Sequence, residues 1–155
     1  MCIRDRHGAY DVLMSVLHVS NATVLPALLS LVDGQPDILE VHGGTSIVNI
    51  LCDRLSPAGI IVLALSLIRR CCILHEANRQ QFVALDVIPV TADLLTTHRG
   101  HREIVRAACA VFSALTLDDD VRVTFGKSHD RAKAIVIEGN ALDTLLQLTS
   151  GIYHI

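Results

Sequence analysis

Six chemically matched pairs of residues lie the same 43 positions apart. A fixed period of this size is typical of solenoids, in which each repeat buries its apolar face only against its neighbours. The sequence therefore predicts a stack of helical repeats. The pairs are Leu51 and Leu94, Ile61 and Ile104, Ala64 and Ala107, Ile68 and Val111, Arg79 and Arg122, and Phe82 and Phe125.

One complete repeat can be read between Ala77 and Leu117. Its pattern predicts three helices, over Ala77–Leu85, Val87–Thr96 and His101–Leu117. Apolar residues of the third helix step by three and four positions, which draws one apolar stripe along a helix. This unit sets the register for its neighbours.

The segments on either side of this repeat show the same helical pattern less completely. We expect helices over Ala22–Val32 and Ser46–Leu55, a short helical piece over Gln35–Val41, and a long helix after Pro57 that ends near Leu74. Beyond the acidic residues 118–120 we expect a short helix at Val121, and a loop inserted over Gly126–Asp130.

These patterns divide the chain into repeats. Residues 1–7 do not fit the pattern and are expected to be non-native or disordered, and residues 8–155 are expected to form the repeat array. The array has a partial repeat at 8–34, repeats at 35–74 and 75–117, and a partial repeat with an inserted loop at 118–155. Because both end repeats lack a helix, we expect a fragment of a longer solenoid that self-associates through uncapped ends.

Composition supports a helical core and narrows the classes of partner. The chain is 51% hydrophobic but only 3% aromatic, with no Trp, so its core is expected to consist of Leu, Ile, Val and Ala in an all-α fold. The net charge of −3, without clustered Lys and Arg, argues against nucleic acid. The longest apolar run, Ile60–Ile68, is shorter than the roughly 20 residues of a membrane span, so no membrane partner is expected.

The cysteines indicate a reducing compartment. Five are present, an odd number, and four of them lie within apolar helical patterns rather than in a loop-rich disulfide framework. We therefore expect the protein in the cytoplasm or the nucleus.

Two segments, NRQQFVALDVIP and REIVRAACAVFSALT, resemble a standard armadillo repeat, in which a short helix ends in a Gly-Ile-Pro-type turn and leads into two longer helices. Residues 86–89 hold that turn here, with the Gly absent. A third segment, DDDVRVTFGKSHDRAKAIVIEGNALDTLL, resembles one particular member of the family. The resemblance implies an armadillo-type α-solenoid, a right-handed superhelix of three-helix repeats, inside the cell and without an assigned enzymatic activity.

One departure from the family limits what the resemblance implies about binding. Armadillo proteins that grip extended peptides usually present a Trp and, four residues on, an Asn from each third helix. Alignment on Leu115 puts Ala110 and Ala114 at these positions, and Leu67 and Cys71 one repeat earlier. A peptide ladder of the nuclear-import kind is therefore not supported.

Two groups of metal-ligating residue types have simpler explanations. Cys71, Cys72 and His75 lie within one helical turn, but no second pair at matching spacing completes the four ligands of a structural zinc site. His98 and His101 flank a turn and are interpreted as solvated turn residues. No nucleophile occupies a recognisable elbow or Gly-rich loop. We therefore expect no enzyme, no metal and no cofactor.

The acidic triplet and the residues after it form the least ordinary surface in the sequence. Capping of a following helix explains one or two of the carboxylates, and long loops often carry binding sites. Arg79 and Arg122 are expected to project from one edge of the solenoid, where they either pair with acids such as Glu76 and Asp119 or contact an acidic partner. We favour the pairing. The candidate partner-binding residues are Arg79, Asp118, Asp119, Asp120, Arg122, Lys127, His129 and Arg131.

These observations predict a non-enzymatic scaffold that binds other proteins, of unspecified identity, through its successive third helices. The alternative is a structural segment of a longer solenoid whose binding surface lies outside these residues.

Overall fold

The computed structural model describes residues 3–33, 43–137 and 141–150. Within those ranges the chain forms nine helices and no strand, which confirms the all-α prediction. None of these helices combines the length and apolarity that a membrane crossing needs. The helices are α1 (Ile3–Val16), α2 (Asn21–Val32), α3 (Gly44–Cys52), α4 (Ala58–Cys72), α5 (Glu76–Ala84), α6 (Val87–Thr97), α7 (Arg102–Leu115), α8 (Ser128–Ile137) and α9 (Ala141–Ser150).

The helices pack in two rows, as expected of a solenoid. Helices α2, α4 and α7 lie side by side in one row, and α3, α6 and α9 form the other. Helix α4 also packs on α3, and α7 on α6, so the two rows pack against each other. The short helices α5 and α8 follow α4 and α7 and join successive repeats. This arrangement of the described helices is that of an all-α solenoid.

The apolar run of the sequence lies in α4, which is the most enclosed helix. It packs against α2, α3, α5 and α7. Ala64, Leu65, Leu67 and Ile68 are consequently without solvent exposure. Burial of a Leu or Ile side chain stabilises a fold by about 1.5 to 3 kcal/mol, so this helix is the main source of cohesion between repeats.

The predicted helices of the central repeat are confirmed. Helices α5, α6 and α7 begin and end within two residues of the bounds expected from the pattern. The stripe on α7 is also confirmed, because Ile104, Ala108, Val111 and Leu115 are all fully buried.

Some predicted segments lie outside the described residues or differ from expectation. The helical piece predicted at 35–41 lies outside them. Helix α1 begins at Ile3, so its backbone extends into the 1–7 segment that was expected to lie outside the array.

The connection after α7 corrects the prediction. No helix begins at Val121; residues 116–127 are irregular, and α8 begins at Ser128, inside the loop expected over Gly126–Asp130. The carboxylate of Asp120 accepts a hydrogen bond from the amide of Arg122 (3.1 Å), and the amide of Val123 donates to the carbonyl of Asp120 (3.1 Å). An Asp side chain that binds its own backbone two residues on forms a turn in place of a helix start.

The repeat register also needs correction at its end. Arg122 and Phe125 lie in the irregular connection, whereas their supposed counterparts Arg79 and Phe82 are buried on α5. Arg79 is the fourth residue of α5, and Arg131 is the fourth residue of α8. Both are buried. Arg131 is therefore the structural counterpart of Arg79.

Among the described residues, two other than glycine have left-handed backbone conformations at turns: Leu74, between α4 and α5, has φ of 56°, and Asp86, before α6, has φ of 60°. Asp86 stands where the standard armadillo turn has Gly. Asp tolerates this conformation better than most residues, and glycine adopts it freely.

We predict that stability at position 86 decreases in the order Gly or Asp, then Ala, then Val. Asp86→Val is expected to lower the free energy of unfolding by roughly 1 to 2 kcal/mol, because a β-branched side chain clashes in the left-handed region. Urea unfolding of the series checks this order, with Asp93→Val on the exposed side of α6 as the matched control. Equal effects at the two positions would argue against strain at Asp86.

Candidate functional site

The first residue of α5, Glu76, is a buried carboxylate at the centre of an ion-pair network. Its oxygens accept two hydrogen bonds from the guanidinium of Arg131, at 2.6 and 2.8 Å. They also accept one each from Arg79 (3.1 Å), from Gln80 (3.1 Å) and from the backbone amide of Lys127 (3.2 Å). Two flanking guanidinium groups and a full set of donors compensate the cost of burying this charge.

Arg131 connects this network to the end of α7. Besides its two bonds to Glu76, its guanidinium donates to the carbonyls of Leu115 and of Leu117, the latter at 3.3 Å. Carbonyls at the end of a helix lack partners within the helix. Arg131 therefore supplies donors to the C-terminal end of α7 while it holds α5 and α8 together.

Asp119 and Asp120 attach the connection to the turn between α4 and α5. Asp119 accepts hydrogen bonds from Arg79 (2.6 Å) and from the amide of Leu74 (3.2 Å). Asp120 accepts one from the amide of Glu76 (2.8 Å). The amide of Glu76 lies at the start of a helix and has no partner within it, so Asp120 caps α5 from a distant part of the chain.

Arg122 completes the attachment. Its side chain donates to the carboxylate of Asp120 at 2.8 and 3.0 Å and to the carbonyl of Leu74 at 3.1 Å. Both polar backbone groups of Leu74, a strained residue, are thus held by the connection. The favoured interpretation that Arg79 pairs with Glu76 and Asp119 is confirmed, and Arg122 pairs with Asp120.

The network keeps both carboxylates ionised. Burial by itself raises the pKa of Glu76, but hydrogen bonds from Arg131, Gln80 and the Lys127 amide outweigh it and lower the pKa from 4.5 to about 2. Hydrogen bonds from Arg122 and from the amide of Glu76 hold the pKa of Asp120 well below its ordinary value. The acidic turn is consequently part of the interior charge balance of the fold.

The structure places all the candidate partner-binding residues in one region, but some of them are buried and others are exposed. Arg79, Asp120 and Arg131 are buried and occupied by internal bonds, so they cannot contact a partner in this fold. Asp119 is partly buried. Asp118, Arg122, Lys127 and His129 are exposed and remain candidates.

Sequence reasoning missed the apolar residues that the same connection presents to solvent. Val121 is 100% exposed and Phe125 is 89% exposed, and Leu74, on the adjoining turn, is 57% exposed. Phe125 matched the buried Phe82 in the repeat pattern and was therefore not recognised as a surface residue. We call residues 116–127 the anchored loop. The carboxylates of Asp119 and Asp120 face inward, and Val121 and Phe125 face outward.

A second surface runs between the exposed sides of α4 and α7. It contains a groove of about 330 Å³ with Val62, Ser66 and Arg69 on one side and Arg106 and Ala110 on the other. The groove is lined mainly by small residues and charges.

The positions that sequence alignment gave to the peptide-gripping Trp and Asn need correction. Leu67, Cys71 and Ala114 are buried, so three of the four positions do not face this groove. The conclusion remains, because neither α4 nor α7 contains Trp or Asn.

The other residues considered as ligands have structural roles. Cys71 and Cys72 are buried thiols, and burial raises the pKa of Cys72 to about 12. The ring of His75 accepts a hydrogen bond from the amide of Asn78 (3.1 Å) and caps α5, and that of His101 caps α7 in the same way. Within the described ranges no three His, Cys, Asp or Glu residues are arranged to hold a metal ion.

We predict that the stabilising effect of Glu76 disappears in acid. Its folded pKa lies below its unfolded value, so the carboxylate contributes stability that is fully present above about pH 4.5 and is lost as the pH falls toward 2. The shift corresponds to roughly 3 kcal/mol. The difference in unfolding free energy between the wild type and Glu76→Gln should therefore shrink from pH 7 to pH 3. Glu103→Gln, an exposed control, should show little such change; a pH-independent Glu76 effect would contradict the assignment.

We also predict that a buried and an exposed arginine, Arg131 and Arg106, differ sharply in their contribution to stability. Arg131→Met is expected to cost about 3 to 5 kcal/mol, because it leaves Glu76 buried with one charge partner fewer. Arg106→Met, at an exposed ion pair, is expected to cost less than about 1 kcal/mol. Chemical denaturation measures the loss of unfolding free energy in both variants. Similar losses would show that the buried Arg131–Glu76 pair contributes no more to stability than the exposed pair does.

Comparison with known proteins agrees with the fold. No family model matches the sequence, and no solved structure matches it. Two curated proteins named armadillo repeat-containing protein 6, from Pongo abelii and Homo sapiens, are each 35% identical to it over 149 residues, which cover 92% of this chain and 30% of theirs. The Drosophila melanogaster protein named as their homolog is 32% identical over 156 residues, covering 94% of this chain and 33% of its own. The chain thus spans about a third of the length of these relatives. The resemblance read from the sequence is confirmed: nearly the whole chain is similar to armadillo repeat-containing protein 6.

Proposed function

We propose that the chain is a non-enzymatic scaffold that binds other proteins. The support comes from its relatives, which are armadillo-repeat proteins, and from two rows of closely packed helices that provide a rigid platform. Rigid repeat surfaces bind through shape and a few anchoring residues, since little conformational entropy is lost on association.

The observation that carries the proposal is the exposure of Val121 and Phe125 on the anchored loop. Aromatic side chains are enriched among residues that dominate binding energy. A flexible loop loses entropy when it binds, whereas this one is already fixed by Asp119, Asp120 and Arg122. Preorganisation of that kind makes an exposed Phe a more effective anchor.

The groove between the exposed sides of α4 and α7 is the second contact region in this proposal. Arg69 and Arg106 flank the small side chains of Ala107 and Ala110, so a partner can approach the backbone closely there. We assign this groove a supporting role, because it contains no large apolar anchor.

The alternative is that the chain is a structural part of a longer solenoid whose binding surface lies elsewhere. The relatives are about three times longer than the matched region, which leaves room for such a surface in them. The two functions make different predictions for variants of the anchored loop.

We predict that Val121→Ser with Phe125→Ser reduces capture of partner proteins from cell extract by the purified chain roughly tenfold, since it removes two anchors without changing the ion network. Val19→Ser, at another exposed apolar residue, is the matched control. Quantitative mass spectrometry of captured proteins and circular dichroism of each variant provide the readouts. Equal capture by both variants would favour the alternative.

We propose the cytoplasm or the nucleus as the location. The four cysteines of the described ranges are free thiols, and Cys71 and Cys72 are adjacent in the core. Imaging of a tagged full-length protein checks this location, and a secreted product would contradict it.

A further inference from the structure

A groove of about 410 Å³ lies between α3 and α6, in the row of helices opposite the α4–α7 surface. Leu51, Ile61 and Leu94 form its buried floor. Pro89 and Val90 extend one apolar wall. The groove therefore accepts an aliphatic chain.

The rim of this groove carries two carboxylates, Asp53 and Asp93, both exposed. Asp53 is oriented by a neutral donor, the backbone amide of Leu55 (3.0 Å). Among the described residues neither carboxylate forms an ion pair with a cationic side chain. An apolar floor below two carboxylates matches a side chain with an aliphatic stem and a cationic end.

A second groove, of about 270 Å³, adjoins the first and also has Asp53 on its rim. Leu17 and Ile50 contribute buried apolar surface to it. The side-chain oxygen of Asn21, which also lines it, is buried and accepts no hydrogen bond from the described part of the chain.

We infer that these two adjoining grooves, which we call the α3–α6 face, bind an extended cationic peptide segment of a partner protein. An arginine side chain lies in the larger groove, with its methylene groups on Leu51, Ile61 and Leu94 and its guanidinium between Asp53 and Asp93. The backbone continues past Asp53 into the second groove, along the buried apolar surface of Leu17 and Ile50. Arginine fits better than lysine, because its planar guanidinium can donate to two carboxylates at once.

The charges around the groove limit which ligands fit. Phosphate groups are repelled by Asp53 and Asp93, so a nucleic acid does not match this face. Arg54 also lies on the rim and is exposed, so it opposes a cationic ligand. Removal of Arg54 should therefore strengthen binding, which a purely apolar site would not show.

The inference goes beyond the proposed scaffold function, since it concerns a different face of the solenoid. Loss of capture in the Val121 and Phe125 variant tests the anchored loop. The peptide experiment below tests the α3–α6 face, so the two ideas can fail separately.

The test uses a blocked peptide, acetyl-Ala-Leu-Arg-Leu-Ala-amide, and the same peptide with citrulline, which has the shape of arginine without its charge. Methyl signals of Leu51, Ile61 and Leu94 are followed by NMR during titration. We expect saturable shifts with the arginine peptide and roughly tenfold weaker binding of the citrulline peptide. Absence of shifts at these methyl groups, or equal affinity for the two peptides, would overturn the inference.

Variants supply the second part of the test. Asp53→Asn combined with Asp93→Asn should weaken arginine-peptide binding by roughly tenfold, and Arg54→Ala should strengthen it by a few-fold. Asp130→Asn, an exposed residue on α8, is the matched control and should leave the affinity unchanged. All four substitutions are at exposed residues, so the fold should be retained. Binding that is insensitive to the Asp53 and Asp93 change, or shifts confined to the α4–α7 groove, would contradict the assignment.

Discussion

The arrangement of the last two repeats depends on one buried carboxylate. Glu76 lies at the start of α5, and its charge is matched by Arg131 from α8 and by Arg79 from its own helix. A buried charge that loses its partner is strongly destabilising. The position of α8 and the path of the anchored loop are therefore set by the need to satisfy Glu76.

The same constraint changes the interpretation of the acidic triplet at residues 118–120. In the sequence, three consecutive Asp residues after α7 look like a charged recognition surface. In the structure, Asp119 and Asp120 bind the turn between α4 and α5, and the loop exposes Val121 and Phe125 instead. The loop thus offers a partner two exposed apolar side chains beside the exposed charges of Asp118, Arg122 and Lys127. Its rigidity comes from the charges on its inner side.

The parts that sequence predicted well are those governed by periodicity. Helices α6 and α7 were predicted closely because each buries one regular apolar stripe. The start of α8 was not, because an Asp before a helix and an Asp in a turn have the same sequence signature and different hydrogen-bond partners. The counterpart of Arg79 was misassigned to Arg122 for a related reason: a constant offset cannot follow an irregular connection. Exposure of Phe125 could not be inferred from residue type, since a Phe in a helical repeat is ordinarily buried.

Side-chain carboxylates hold backbone amides across the boundary between the last two repeats, in both directions. Hydrogen–deuterium exchange resolved to single amides tests this claim most directly. The amides of Glu76 and Lys127 lack the protection of a helix interior but donate to Asp120 and to Glu76, respectively. Both amides are expected to exchange much more slowly than the neighbouring loop amides of Thr124 and Phe125. Equal exchange rates at all four positions would contradict this claim.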